Sequence, residues 1–561
     1  QKTLYILTIL FIMLYGFLSV KRASAVSRDE QSLYDELHIC STYSNNFYFV
    51  PYSIDATGVT VMFFPSPSSG NEYYISFPSD RCLYIDGIQY FPGSVLPHFS
   101  EQDMHTIKYV SEGIFIEAPL SVYYADNMPF VSITAKSNET ESIISDPFHK
   151  NIINADITVI DPGRGESVYD RCEFAGHGGS TWEVDKKSFE FKMLKAYSLL
   201  GMKSAEKYTL IANGMDHSNL KNRIVYEATK HMHTEYPTEC EYINYYLNGI
   251  YQGLYLLTER PSNSGGIVET RYDLDKENEL ANPSQRPAPI VNYEGTASEE
   301  RYYNYRNTPK NLTGDYFMEF VQFEIPQGNH EEKSWFMTDR MMIKLKSPRM
   351  ATEKELNYIK EYCRSAERSV FSPDGIDLQT GADYHDFFDI YSWATTYLFM
   401  DFFGYQDDSA GSLFLYKRLD DPLLYSGPIW DYDKSMTDNY YDAEPFPWYG
   451  RSDFYVVYDV NNKFELWYSG LNRFDDFHKQ VVQNYCDELE PALNAIIETK
   501  IPEWKEATKS SVRMDEIRWS RGSGTESEKA ENVSEWLKKR KELFDAVWIN
   551  GEYSPYAGNI Y

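Results

Sequence analysis

Glu241-Tyr242-Ile243-Asn244-Tyr245-Tyr246-Leu247-Asn248-Gly249-Ile250-Tyr251-Gln252-Gly253-Leu254-Tyr255-Leu256-Leu257-Thr258-Glu259 is the stretch on which the fold turns. Asn-Gly favours positive φ at both central positions of a two-residue turn, whose twist matches that of paired strands. Aromatic and branched residues on either side form strands readily, so Glu241 to Leu257 is predicted as a hairpin around Asn248-Gly249. Upstream, Ser188-Phe189-Glu190-Phe191-Lys192-Met193 alternates as a strand, and mixed α and β character begins near Asp156. Further upstream, short runs such as Tyr73–Phe77 and Phe130–Ile133 alternate with turn residues, predicting a small β-rich accessory domain over 45–144. Downstream, 273–312 is polar, weakly periodic and rich in Asn, Glu and Pro, which predicts a loop or insertion. Helices then dominate. Thr352-Glu353-Lys354-Glu355 is a capping box ahead of Leu356, Ile359 and Cys363 at helical spacing. Tyr384 to Phe399 is a dense apolar helix; Phe474, Phe477, Val481, Tyr485 and Leu489 mark another, and Val533, Trp536, Leu537, Phe544 and Val547 a last one. A β-rich first half and a helical second half predict an α+β chain of two lobes with a cleft between them.

The chain has 561 residues, which at roughly 150 per domain allows three or four domain-sized units and a large core. Acidic residues number 84 against 53 basic ones, a net charge of −31 that repels nucleic-acid backbones and anionic lipid headgroups. A general nucleic-acid role is excluded on that ground, although a small basic pocket gripping one nucleotide is not. The 48 tyrosines and 32 phenylalanines, with charged residues at 24%, indicate a folded chain. Lys2, the uncharged run Leu4 to Val20, then Lys21, Arg22 and Ala23-Ser24-Ala25 read as an export signal over 1–25. The other reading is an uncleaved anchor. Either places the protein outside the cell or on its surface, with a membrane contact only through that segment. Six widely spaced cysteines argue against a zinc site; their even number permits disulfides, and buried thiols are the simpler reading.

Two acidic clusters follow the apolar helix: Gln406-Asp407-Asp408, with Ser412 and the strand Leu413–Lys417, and then Gly427-Pro428-Ile429-Trp430-Asp431-Tyr432-Asp433. A hairpin-like unit between them brings Asp407 and Asp431 to one rim. There two carboxylates can hold a divalent cation or act as acid and base, or simply mark turns. A basic cluster, His177-Gly178-Gly179-Ser180-Thr181-Trp182 followed by Lys186-Lys187, offers backbone N–H groups and point charge to phosphates, without a Walker pattern. The bland reading of the lysine pair is a solvated strand edge. Together the order is that of a phosphoryl-transfer enzyme: a strand lysine, an Asp with a polar residue five positions on, then a second Asp.

These segments resemble the spore coat protein H (CotH) kinase family, atypical protein kinases with a divergent two-lobed fold. The resemblance runs from about Asp156 to Trp548. It rests on Ser180-Thr181-Trp182 with Lys186-Lys187, on Leu210–Asp216, on the hairpin Leu247–Glu259, on Lys344–Pro348 and on the W-D-x-D segment at Trp430–Asp433. It implies ATP and Mg²⁺ (or Mn²⁺) as cofactors. Lys187, or its neighbour Lys186, would bind phosphates beside the Ser180 turn, and Asp407 would accept or position the substrate hydroxyl proton. Asp431 would ligate the metal with Asp433 in support, and Ser412 stands where a kinase places a metal-binding Asn. Glu259 is a candidate for facing the nucleotide, with a strand-end turn carboxylate as the alternative. Asn213, Asp216 and Asn222 read as polar caps or site residues. Two departures stand out: Ser412 is a weaker ligand than an amide, and His177 replaces the family's arginine with a mostly neutral group.

The function implied is an exported kinase acting on Ser or Thr of secreted or surface proteins, although ATP is scarce outside cells. The alternatives are a catalytically weak binding or scaffold protein on the same fold, and a carboxylate-pair hydrolase of carbohydrate.

Overall fold

The computed structural model describes residues 31–550, apart from 32–33, 42–43, 55–57, 66–71, 112–113, 295–296, 322–332, 406–411, 437–466 and 520–525. The expected export segment, 1–25, lies outside the described residues.

The chain opens with two antiparallel-rich sheets. The first has the order β2 (Ser44–Phe49), β1 (His38–Ser41), β5 (Tyr73–Ser76). The second runs β3 (Tyr52–Ile54), β4 (Val59–Phe64), β9 (Ile114–Tyr124), β8 (His105–Ser111), β6 (Cys82–Ile85), β7 (Ile88–Tyr90). The predicted β-rich region is therefore present, but its far end is not part of it. β10 (Phe130–Thr134) leaves these sheets to pair antiparallel with β11 (Ile152–Asp161) and parallel with β15 (Cys240–Leu247). Turn punctuation near 125–129 resembles any other hairpin in the local text, so the sheet change is invisible there.

β10 and β11 open a closed barrel that continues through β12 (Glu166–His177), β13 (Ser188–Ser198), β14 (Ser204–Ile211), β16 (Ile250–Glu259) and back to β15. The predicted hairpin is there: Asn248 and Gly249 both have positive φ, 50° and 77°, between β15 and β16. A Cβ on Gly249 would lie 2.7 Å from Tyr48 Cε2, so the turn also serves as a close-packing point for β2. Asn248 accepts from the Ala135 N–H at 2.8 Å and donates to Thr140 Oγ1 at 3.0 Å, tying the turn to α1 (Ser137–Ile144).

Alternate residues of the barrel strands, among them Ile157, Phe174, Phe191, Leu210, Tyr245, Tyr255 and Leu257, fill one apolar core. The intervening residues look outward into other cores. Leu254 and Leu256 join the helical core, while Tyr246 and Tyr251 join the core of the N-terminal sheets. The unbroken run Leu254–Leu257 is the mark of a strand buried on both faces.

Beyond the barrel, α2 (Lys221–Thr229) lies between β14 and β15, and Asp216 caps its start by accepting from Lys221 N at 2.9 Å. The stretch 273–312, expected as a loop or insertion, is not a loop: it forms α3 (Leu274–Ala281) and the hairpin β17 (Pro289–Glu294)–β18 (Ala297–Tyr303). Asp273 caps α3 through Lys276 N, and Glu300 pairs with Lys360, so polar side chains tie the elements down where an apolar period is missing. A seven-stranded sheet follows in the order β17, β18, β20 (Trp335–Met337), β21 (Met342–Ser347), β19 (Tyr316–Val321), β22 (Phe414–Lys417), β23 (Leu424–Ser426).

The helices of the second half are α4 (Glu353–Phe371), α5 (Ile390–Phe403), α6 (Trp467–Leu471), α7 (Asp475–Asn484), α8 (Glu490–Ala495), α9 (Ile501–Trp519) and α10 (Glu526–Phe544). The α4 capping box forms as read: Glu355 N donates to Thr352 Oγ1 at 3.2 Å and Thr352 N to Glu355 Oε2 at 2.7 Å. The apolar helix starts later than expected, at Ile390, because Asp389 caps it through Ser392 N and a short 3₁₀ turn occupies Tyr384–Asp386. The architecture is mixed α+β, as expected. None of the six cysteines is in a disulfide. Among the described residues no helix is long and apolar enough to cross a membrane.

Thr352→Ala removes one half of a buried capping box, and a loss of about 1 kcal/mol is expected, read as a lower denaturant midpoint for the cooperative loss of helical signal.

Candidate active site

Where the open end of β12, the start of β13 and the end of β14 meet the seven-stranded sheet, a cavity of about 230 Å³ opens. On the barrel side it is lined by His177, Gly178, Gly179, Thr181, Lys186 and Asn213, and on the opposite side by Glu319, Ser412, Trp430, Asp431, Asp433 and Lys434.

The Gly-rich turn is built around close contacts. Gly178 has φ +112°, and a Cβ there would fall 2.4 Å from Thr181 Oγ1. Ser180 opens the short 3₁₀ turn Ser180–Glu183 that follows. His177, at the last position of β12, faces Glu190 of β13 at 3.0 Å, and Arg260 reaches the same carboxylate at 2.7 Å. Burial alone would raise the Glu190 carboxyl, but Arg260 and then His177 outweigh it and hold it down at about 2.

The two neighbouring lysines separate sharply. Lys186 is buried, reaches the cavity, and places Nζ 2.7 Å from Asp515 Oδ1 and 2.6 Å from the Leu254 carbonyl oxygen. Lys187, the first choice on sequence, turns away to donate to the Trp182 carbonyl at 2.6 Å and lies over the Trp182 ring. The cavity-facing position therefore belongs to Lys186. Adjacent residues entering a strand point to opposite faces, and only the packing decides which face holds the cavity.

The other wall forms from two loop ends. Ser412 precedes β22 and Asp431 follows β23; β22 and β23 pair antiparallel, so the hairpin-like unit expected from sequence brings Ser412 Oγ within 3.2 Å of Asp431 Oδ2. The Trp430–Asp433 segment is pinned by α2: Trp430 stacks on Tyr226 with ring centres 5.5 Å apart, and Asn222 Oδ1 accepts from Tyr432 N at 2.8 Å. Asp433 is buried, and its carbonyl accepts from Lys221 Nζ at 3.3 Å. Asn213, Ser412 and Asp431 all have positive φ, 50°, 63° and 68°. Three non-glycine residues in the left-handed region around one cavity are conformations that the surrounding packing must hold. Asp407 lies outside the described residues.

Glu319 was not anticipated. It projects from β19 into the cavity, accepts from Ser412 N at 3.1 Å, and pairs with Lys344 and Lys346, each at 3.2 Å. Burial works to raise its carboxyl, but Lys346, Lys344 and Lys333 outweigh it and keep it well below the usual carboxylate range. Its signal in the sequence is a lone acid inside the apolar strand Tyr316–Val321. Of the polar residues of uncertain role, Asn213 and Asn222 line the cavity and Asp216 caps α2.

Glu259 is not at the site. It ends β16 on the same side as Tyr255 and Leu257, buried toward the barrel core, with Oε2 lacking a hydrogen-bond partner. Burial, and then the charge of Glu239, push its carboxyl up to about 7.

The cavity thus joins a basic, glycine-rich wall to a wall that offers the oxygen donors Glu319, Ser412, Asp431 and Asp433. A family model described as CotH kinase protein matches residues 174–544. The chain belongs to the CotH kinase family. A comparison with curated proteins gives no match. The family match takes in both walls, from His177 through Asp433, together with α9 and α10; the N-terminal sheets lie outside it.

The Glu259 carboxyl keeps its proton in the folded protein to about 7, against 4.5 ordinarily. Its favourable contribution is complete below pH 4.5 and is lost as pH rises through about 7. Glu259→Gln should match the wild type in thermal stability near pH 4.5 and exceed it at pH 8, by at most about 3 kcal/mol.

Proposed function

We propose that this CotH family member is an exported or surface-associated atypical protein kinase of two-lobed design, transferring the ATP γ-phosphate to Ser or Thr of secreted or surface proteins. The observation that carries this reading is the pairing, across one cavity, of Lys186 and the Gly178–Gly179 turn with Ser412 and Asp431. Nothing in a carbohydrate hydrolase would require a buried lysine there.

The donor set suits a small hard cation. Asp431 and Ser412, with Asp433 and Glu319 on the same wall, offer only oxygen. Among the described residues no three His, Cys, Asp or Glu side chains gather as a ligand cage. A sparse set is what Mg²⁺ or Mn²⁺ uses when substrate phosphates complete its coordination. Asp431, with Ser412 and Asp433 in support, would hold it, and the metal would neutralise phosphate charge. The chain's own residues do the rest. The ammonium of Lys186 stabilises phosphate charge, the glycine-rich turn lends backbone N–H groups, and Glu319 orients Ser412 through its N–H. Asp407 is assigned the substrate hydroxyl, as acceptor of its proton or as the group that holds it in line. Export rests on the N-terminal segment, and a substrate outside the cell on export.

Ser412, a poor substitute for an amide ligand, and His177, engaged with Glu190 where the family has arginine, favour a second reading in which the same cavity binds nucleotide with little or no transfer. Calorimetric titration of the purified protein with ATP tests the first step for both. Binding is expected only with Mg²⁺ or Mn²⁺ and should vanish in Asp431→Ala. Lys186→Met should weaken it about tenfold or more, roughly 1.4 kcal/mol, and Lys187→Met by less than about twofold. No binding with either metal sinks the nucleotide reading; binding without phosphorylation of any Ser- or Thr-bearing secreted protein leaves the scaffold reading.

A further inference from the structure

The lysine of the cavity takes its counter-charge from far along the chain. Asp515 sits on α9, and both it and Lys186 have side chains only 2% exposed. Asp515 Oδ1 lies 2.7 Å from Lys186 Nζ and also accepts from Leu254 N at 3.0 Å. Lys186 donates to the Leu254 carbonyl and lies 4.8 Å from the centre of the Tyr255 ring. Strand β16 is therefore the floor on which both charges rest. Gly253 makes the space: its φ is +117°, and a Cβ there would fall 2.0 Å from Asp515 Oδ1 and 3.0 Å from Lys186 Cε. The family-like glycine three residues before Leu256 is thus the seat of an ion pair rather than a turn residue.

The helix that delivers Asp515 is fastened on two sides. Toward the barrel, Trp519 Nε1 donates to the Gln252 carbonyl at 2.8 Å, Arg518 Nε to the Tyr251 carbonyl at 2.9 Å, and Asn244 Nδ2 to Ser511 Oγ at 3.0 Å. Toward the N-terminal sheets, Asp126 accepts from Ser510 N at 2.7 Å, Arg513 pairs with Glu101 at 3.3 Å, and Met514 is buried in their core.

A buried ammonium is costly to keep, since burial penalises the charged form. A carboxylate in contact offsets that penalty and fixes the direction of Nζ. We propose that Asp515 is the positioning residue of the nucleotide site: it keeps Lys186 charged and aimed at the phosphates. α9, braced by the N-terminal sheets, is thereby a working part of the cavity. This rests on the nucleotide reading above.

The test is Mg·ATP titration of the full chain between pH 7.5 and 9.5, for the wild type, Asp515→Asn, Lys186→Met and the double variant, each checked by thermal melting. Wild-type affinity should stay nearly flat. Asp515→Asn should bind about tenfold more weakly at pH 7.5, and the deficit should grow with pH because the variant lacks the Asp515 carboxylate that favours the charged lysine. On the Lys186→Met background the same change should alter affinity by less than about twofold, since the two act as one unit. Arg513→Ala, which loosens α9 without touching the pair, should leave the pH profile as in the wild type. If Asp515→Asn fails to fold, Asp515→Glu, which keeps both charges but shifts the carboxylate by one methylene, should also weaken binding. Asp515→Asn binding like the wild type at every pH overturns the proposal. So does an equal, pH-independent loss on both backgrounds, which is the mark of a role in helix docking alone. A wild type that takes up no Mg·ATP overturns the nucleotide reading itself.

Discussion

β16 is buried on both faces, and most of the molecule is arranged around that constraint. Tyr255 and Leu257 enter the barrel core, Leu254 and Leu256 enter the helical core, and Tyr251 enters the core of the N-terminal sheets. A strand that serves three cores leaves little freedom for the elements around it, because interiors packed like crystals do not tolerate displacement of a shared wall. Its backbone also carries polar duties. Leu254 presents its carbonyl to Lys186 and its N–H to Asp515, so packing and electrostatics are decided by the same few residues.

Four charged groups in or beside the cavity are each held by another segment of the chain. Lys186 is held from α9, Glu319 from β21 through Lys344 and Lys346, Glu190 from Arg260 across the barrel edge, and Asp431 from Ser412 across a hairpin. Buried charges without partners are costly, which explains why Lys186, Asp515 and Glu319 add hydrogen bonds to backbone to their ion pairs. Asn213, Ser412 and Asp431, with left-handed backbones, line the same cavity. Strain of that kind persists only where surrounding structure over-determines it, and the stack of Trp430 on Tyr226 and the Asn222 bond to Tyr432 N supply that here.

Legibility in the sequence followed the range of the forces involved. The Asn248-Gly249 hairpin, the Thr352–Glu355 capping box and the apolar helix around Trp393 are local devices, and each is found close to where the residues put it. The helix and hairpin within 273–312 were not legible because their order comes from side-chain ties, Asp273 to Lys276 N and Glu300 to Lys360, rather than from an apolar period. β10 was misassigned because its partners, β11 and β15, come later in the chain. At the site, the hairpin-like unit that carries Asp431 was legible, although the residue expected opposite it, Asp407, lies outside the described residues and Ser412 is the one found there. The choice between Lys186 and Lys187 was not legible, since neighbours entering a strand differ only in which face they take. Glu259 was misplaced for the same reason, lying on the barrel-core parity of β16.

The sequence by itself determined the α+β class, the principal hairpin, the caps and the family, because these depend on residue type and short spacing: an Asn-Gly turn, a Thr-to-Glu cap and motifs in fixed order carry their meaning wherever the chain goes. Only the tertiary structure decided which lysine faces the cavity, that Glu319 joins its oxygen-rich wall, and that Asp515 closes onto Lys186 from α9. Those choices depend on which faces of β13, β16 and β19 meet which neighbours. That is set by the burial of whole cores and by the cost of leaving a buried charge unpaired, neither of which can be read within a window of a dozen residues.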